Sequence, residues 1–182
     1  TDLSDYLVTG GASLIAPATV VEVGGESIAV IGATTQRLNT ITPEKEVVPI
    51  GSNVDDMTVL AAQLQTQIDA MTSQGINKII VVTHLQDIGN EKLLASKLSG
   101  ADIILGGGSN AIFADSTDTI RDGDLVVEDY PLSITGADGN EVLLVNTKGQ
   151  YEYLGRLVVE FDENGQVIPG SIDPNESGAF AA

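Results

Sequence analysis

Two short apolar runs joined by a helix-like segment constrain the fold of this chain more than any other feature. The first run, residues 79–83, leads into His84, the only histidine, and the second, residues 102–105, opens into a glycine-rich stretch at 106–110. Continuous apolar strands of this kind are typical of parallel sheets that are covered on both faces. Because the carboxyl ends of parallel strands lie at the same edge of a sheet and ligands bind there, we expect the histidine and the glycines to share one functional edge. The crossover between the two strands is expected to be right-handed.

Regular secondary structure is also predicted on either side of this β-α-β unit. Two β-branched runs around a glycine turn, within residues 18–32, predict a β-hairpin. Apolar residues at spacings of three and four predict a helix that starts at an N-cap, Asn53, and stops near Gly75, and a second helix is predicted at 90–98. After residue 110, short runs separated by Asp-Gly and Asn-Gly turns predict antiparallel strands.

These elements together predict an α/β fold with a mixed sheet in a single domain. The chain has 182 residues, which is enough for one substantial core. We place that core at about residues 18–168 and expect a flexible, frayed tail at about 169–182, where the sequence is small and polar.

The composition excludes several classes of function. Eight basic residues against 26 acidic ones give a net charge of −18, which argues against nucleic-acid binding. The absence of cysteine excludes disulfides and thiolate metal sites. No apolar run approaches the ~20 residues that span a bilayer, so we expect no membrane span.

Three groups of residues could carry chemistry, and each also has a purely structural interpretation. His84 could bind a metal, or simply hydrogen-bond at the start of the next helix. The glycine-rich stretch could let backbone N–H groups approach a phosphate, or be no more than a tight turn. A dense acidic loop could bind Ca²⁺, or be a solvated surface. The glycine-rich residues are Gly106, Gly107, Gly108 and Ser109, and the acidic ones are Asp115, Asp118, Asp122 and Asp124.

Four segments in order resemble a known family. They are residues 25–32, 81–85, 102–107 and 151–157, and together they resemble the C-terminal half of the catalytic domain of the 5′-nucleotidase-type metallophosphoesterases, within the calcineurin-like phosphoesterase superfamily. The resemblance implies half of a four-layered α/β/β/α sandwich. It also implies a nucleotide or other phosphate ester as substrate, divalent metals such as Mn, Zn or Ca as cofactors, and a periplasmic or extracellular location for the full-length parent.

The resemblance implies specific site residues as well. The family's Thr/Ser-His element falls on Thr83 and His84, which makes His84 a metal ligand. Its Gly-His-Ser-His/Gln element falls on residues 107–110, where Gly108 replaces the first ligand and Asn110 offers an amide oxygen in place of the second. The family's earlier Asp-x-His, Gly-Asp and Gly-Asn-His-Glu elements have no counterpart upstream of residue 18.

We therefore expect a hydrolase fragment that is inactive alone. The start at Thr1 favours a truncated piece of a longer protein over a degenerate one. A half-sandwich leaves one apolar sheet face uncovered, so we expect self-association through that face. Two alternatives stay open: a non-catalytic module that binds a small ligand or Ca²⁺ through the glycine turn and the acidic loop, and an unrelated α/β enzyme that uses Thr83, His84 and Ser109.

Overall fold

A computed structural model describes residue 16 and residues 18–41 and 55–182. Ten strands lie in these ranges: β1 (Ala18–Val23), β2 (Glu26–Thr34), β3 (Ile79–His84), β4 (Ile103–Leu105), β5 (Ile112–Phe113), β6 (Val126–Glu128), β7 (Leu132–Thr135), β8 (Glu141–Val145), β9 (Tyr153–Arg156) and β10 (Gly178–Ala181). The α-helices in the same ranges are α1 (Leu38–Ile41), α2 (Met57–Thr72) and α3 (Ile88–Ala95).

The main sheet is mixed, as the sequence predicts. It has six strands in the order β1-β2-β3-β4-β8-β7. Strands β2, β3, β4 and β8 run parallel, and the antiparallel edge strands β1 and β7 come from hairpins with β2 and β8. The β3-α3-β4 unit lies at the centre of this order, so the two strands that carry His84 and the glycines are direct neighbours.

Both long helices begin where an aspartate caps them. Helix α2 starts at Met57 because the Asp56 carboxylate accepts hydrogen bonds from the N–H groups of Thr58 and Val59. The predicted cap at Asn53 is therefore wrong, and Asn53 itself lies outside the described residues. Helix α3 is capped by Asp87, and it begins and ends two to three residues earlier than the predicted 90–98.

The two faces of the sheet are covered differently. Helices α2 and α3 pack on one face and bury Ile31, Val81 and Ile104 in the main core. Among the described residues, the segment around Leu157 and Phe161 packs on the opposite face over Ile103 of β4 and Leu143 of β8. Beyond that cover, Val82 and Leu105 are register partners on adjacent strands and are 40% and 37% exposed.

The frayed tail predicted beyond Pro169 is not what the structure shows. A 3₁₀ turn at Pro169–Ser171 leads to β10, which pairs with β9, and Ser177 and Ala179 are fully buried. The Asp118 carboxylate holds this strand because it accepts a hydrogen bond from the N–H of Ala179 at 3.1 Å. Small residues form little apolar contact at a free chain end, which favours fraying, but in β10 their small size lets the strand pack closely against the protein.

None of the helices in the described part of the chain has the length and apolar character of a membrane span.

Candidate functional site

His84 ends β3 at the carboxyl edge of the sheet. The alternation along the strand buries Thr83 against the helix side and leaves His84 exposed on the opposite face. The carbonyl of His84 accepts a hydrogen bond from the N–H of Thr35, which follows β2, at 3.0 Å. The histidine is thus fixed to the neighbouring strand while its imidazole stays accessible.

The glycine-rich stretch lies directly against this histidine, as the topology predicts. A Cβ atom added to Gly107 would lie 2.6 Å from the Thr83 carbonyl oxygen, and one added to Gly108 would lie 3.0 Å from His84 Nε2. Gly108 also has a φ of +82°, which side-chain-bearing residues rarely adopt. Residues 107 and 108 must therefore be glycine for the loop to approach the histidine this closely.

Glu91, which is not among the predicted site residues, holds the glycine-rich loop in place through hydrogen bonds. This side chain of α3 is fully buried, and its Oε1 accepts hydrogen bonds from Thr83 Oγ1 at 2.9 Å and from the N–H of Gly107 at 3.0 Å. Burial raises the pKa of Glu91, although these hydrogen bonds oppose the change. Glu91 lies three residues before Leu94 and seven before Leu98, and this helical spacing places it on the same, core-facing side as the two leucines.

A second buried polar side chain, that of Asn146, also lies close to Gly106. The Nδ2 of Asn146 donates to the carbonyl of Ala111 at 2.6 Å, which leaves its Oδ1 without a partner. Glu91 Oε2 also has no hydrogen-bond partner. A Cβ atom added to Gly106 would lie 3.3 Å from Glu91 Oε2 and 3.1 Å from Asn146 Oδ1. A buried acceptor without a donor is unfavourable, so the unpaired Oε2 adds to the cost of keeping the Glu91 carboxylate charged.

Ser109 and Asn110 lie further along the same loop. Ser109 Oγ accepts a hydrogen bond from the N–H of Ala111 at 3.1 Å, which shapes the turn. The side chain of Asn110 is exposed, and its Oδ1 lies 3.4 Å from the place of a Cβ on Gly149. The structure therefore places Asn110 beside the loop that contains Lys148 and Gly149.

Two cavities reach this edge. One, of about 340 Å³, is lined by Leu105, Gly106 and Asn146 among others. A larger one, of about 900 Å³, extends from His84 along the end of β2 to helix α2.

Three of the four acidic residues at 115–124 have hydrogen-bond partners within the protein, and the described residues form no acidic cluster that could hold a metal ion. Asp115 accepts from the N–H of Thr117, and Asp118 accepts from the N–H groups of Asp115 and Ala179. Asp124 hydrogen-bonds Lys148 Nζ at 2.6 Å and Tyr153 Oη at 2.7 Å, and these two contacts lower its pKa. Asp122 is exposed. This arrangement does not favour a calcium site.

The donor set at the sheet edge fits only part of a metal site. Within the described residues, no group of three or more histidine, aspartate or glutamate side chains could hold a metal ion. An exposed imidazole at a strand end is a suitable ligand, but a structural or catalytic site needs three or four ligands. The described residues at this edge therefore supply only part of such a ligand set.

Comparison with known proteins finds relatives and structural neighbours among the nucleotidases. No family model matches the chain. The 5′-nucleotidase of Mus musculus is 31% identical over 161 residues, which are 88% of this chain and 26% of that protein. The crystal structure of a 5′-nucleotidase precursor from Thermus thermophilus superposes with a TM-score of 0.71 at 26% identity, covering 91% of this chain and 29% of that one.

The NAD nucleotidase of Haemophilus influenzae gives a similar result, with a TM-score of 0.70 at 29% identity over 86% of this chain and 29% of its own. The chain therefore spans about a quarter of the length of the curated relatives that it matches.

Proposed function

We propose that the chain forms part of a metal-dependent hydrolase that acts on nucleotides or other phosphate esters, because it is similar over most of its length to about a quarter of the length of known 5′-nucleotidases. The observation that carries the proposal is the packing of Gly107 and Gly108 against His84 at the carboxyl edge of the sheet. This is the edge at which an α/β sheet binds its ligands.

Each residue of this edge has a role in the proposal. His84 is a metal ligand, and Asn110 offers an amide oxygen as a ligand for the same metal site. A divalent ion, when bound, stabilises the negative charge that develops on the phosphoryl group. The open turn formed by Gly106, Gly107, Gly108 and Ser109 lets a phosphate oxygen approach the backbone, and Glu91 keeps that turn against His84.

The chain alone is inactive in this proposal, because one histidine cannot assemble a site for two ions. The open sheet face around Val82 and Leu105 is where the rest of a sandwich domain would pack. We place the longer protein in the periplasm or outside the cell, which the name of the Thermus thermophilus neighbour, a precursor, supports.

A phosphatase assay tests the proposal. Purified chain is incubated with adenosine 5′-monophosphate or p-nitrophenyl phosphate in the presence of Mn²⁺ or Zn²⁺, beside the His84→Ala variant. We expect no turnover by either protein. Metal-dependent turnover that His84→Ala abolishes would overturn the inactivity and leave the reaction class intact, whereas equal turnover by both proteins would overturn the role of His84.

A further inference from the structure

The space beside Gly108 is occupied by a residue that lies outside the glycine-rich loop. A Cβ on Gly108 would lie 3.0 Å from Gln86 Nε2 and 3.0 Å from His84 Nε2. The ends of the Gln86 and His84 side chains thus both reach the point where position 108 would otherwise place a side chain. The glutamine amide and the imidazole are the groups nearest to that point.

An unusual backbone conformation brings Gln86 to this place. Its φ is +70°, one of three positive values among the non-glycine residues that the structure describes. For such a residue this region is strained, and it persists only where the surroundings impose it. Here the N–H of Gln86 points at the carbonyl of Gly107 at 3.5 Å, and Leu85, one residue before, is 1% exposed. The buried leucine and the loop therefore hold the glutamine at the histidine.

The side chains of Gln86 and His84 are both of kinds that bind divalent cations in proteins. An amide oxygen and an imidazole nitrogen are both ligands for divalent ions such as Zn²⁺ and Mn²⁺. A half-turn of the Gln86 amide presents Oε1 in place of Nε2 to the same point. The side chain is exposed, so this rotation breaks no buried contact.

We propose that Gln86 is a ligand for a divalent cation together with His84, and that it takes the place of the side chain that position 108 lacks. This inference rests on the proposed function, because it assumes that His84 binds a metal. It adds a residue that lies two positions after the histidine and that the glycine-rich loop does not contain.

The single histidine makes a direct test available. The imidazole signals of His84 are the only ones in an NMR spectrum of this chain, so their change during a Zn²⁺ titration reports binding at this residue alone. Moderate salt screens the general attraction of cations to the acidic surface. The titration is run on the wild type and on Gln86→Ala and Gln86→Glu.

Gln74 supplies the matched control. It is an exposed glutamine just beyond helix α2, where its Nε2 donates to the carbonyl of Ala70 at 2.8 Å. Gln74→Ala and Gln74→Glu therefore change the same atoms and the same net charge away from the site. Unchanged amide spectra confirm that each variant is folded.

We expect Gln86→Ala to weaken Zn²⁺ binding at His84 about tenfold and Gln86→Glu to strengthen it, whereas both Gln74 variants match the wild type. Equal affinity in Gln86→Ala and the wild type would overturn the inference while leaving His84 as a ligand. No response of His84 to Zn²⁺ in any of the proteins would overturn the metal assignment in the proposed function as well.

Discussion

Replacing Glu91 by glutamine should stabilise the folded chain at neutral and alkaline pH, although the replaced group is a fully buried carboxylate. Glutamine keeps an acceptor, Oε1, for Thr83 Oγ1 and for the N–H of Gly107. Its Nε2 takes the place of Glu91 Oε2 and so brings a donor to the neighbourhood of Gly106, where Glu91 Oε2 and Asn146 Oδ1 both lack a partner in the wild type. Because an unsatisfied buried polar group costs about 1–3 kcal/mol, we expect a gain of about 1 kcal/mol in the free energy of unfolding.

The dependence on pH has a definite sign. Burial raises the pKa of Glu91 in the folded chain, so the folded state keeps this proton over a range in which the unfolded chain has lost it. The stability that Glu91 contributes is complete below its unfolded pKa and is lost as the pH rises through its folded pKa. Glutamine does not titrate, so the advantage of Glu91→Gln over the wild type should widen with rising pH.

Urea denaturation followed by far-ultraviolet circular dichroism at pH 5 and pH 8 measures these differences, since the chain has no tryptophan. Glu91→Ala is the matched variant: it removes both hydrogen bonds and leaves a cavity, and we expect a loss of about 3 kcal/mol. If Glu91→Gln is as damaging as Glu91→Ala, the negative charge itself is required, and the argument from unpartnered oxygens is wrong.

Two further predictions concern a buried carboxyl group and an exposed sheet face. Burial raises the pKa of Asp102 to about 7, so the stability that Asp102 contributes is lost as the pH rises from about 4 to above 7. Asparagine at this position can still accept the hydrogen bond from the N–H of Ile79, so Asp102→Asn should remove up to about 4 kcal/mol of this pH dependence in the same denaturation assay. A flat wild-type profile would contradict it. The open sheet face should make the chain self-associate at micromolar concentration, and Leu105→Asp should shift light scattering towards the monomer; a monomeric wild type would refute this.

The sequence predicts the main sheet well because its strands carry strong local patterns. The runs that became β3 and β4 are apolar on both faces, and glycine turns mark the hairpins. The shared edge of His84 and Gly107 then follows from the parallel direction of β3 and β4, which brings their carboxyl ends to the same edge of the sheet. These features depend on periodicity and turn chemistry, which a single sequence shows directly.

The parts that were missed depend on contacts between distant residues. The burial of Glu91 is explained by the loop N–H of Gly107, sixteen residues later, and the order of β10 by the carboxylate of Asp118, sixty-one residues before its partner. The role proposed for Gln86 depends on a positive φ that no residue pattern indicates. Local propensity contains no information on such pairings.

Calorimetric titration of Zn²⁺ or Mn²⁺ into the purified chain, beside His84→Ala, tests the central claim most directly. The account predicts that one weakly bound ion per chain is lost in His84→Ala, because this sheet edge supplies only part of a metal site. Two tightly bound ions, or binding that His84→Ala leaves unchanged, would contradict it.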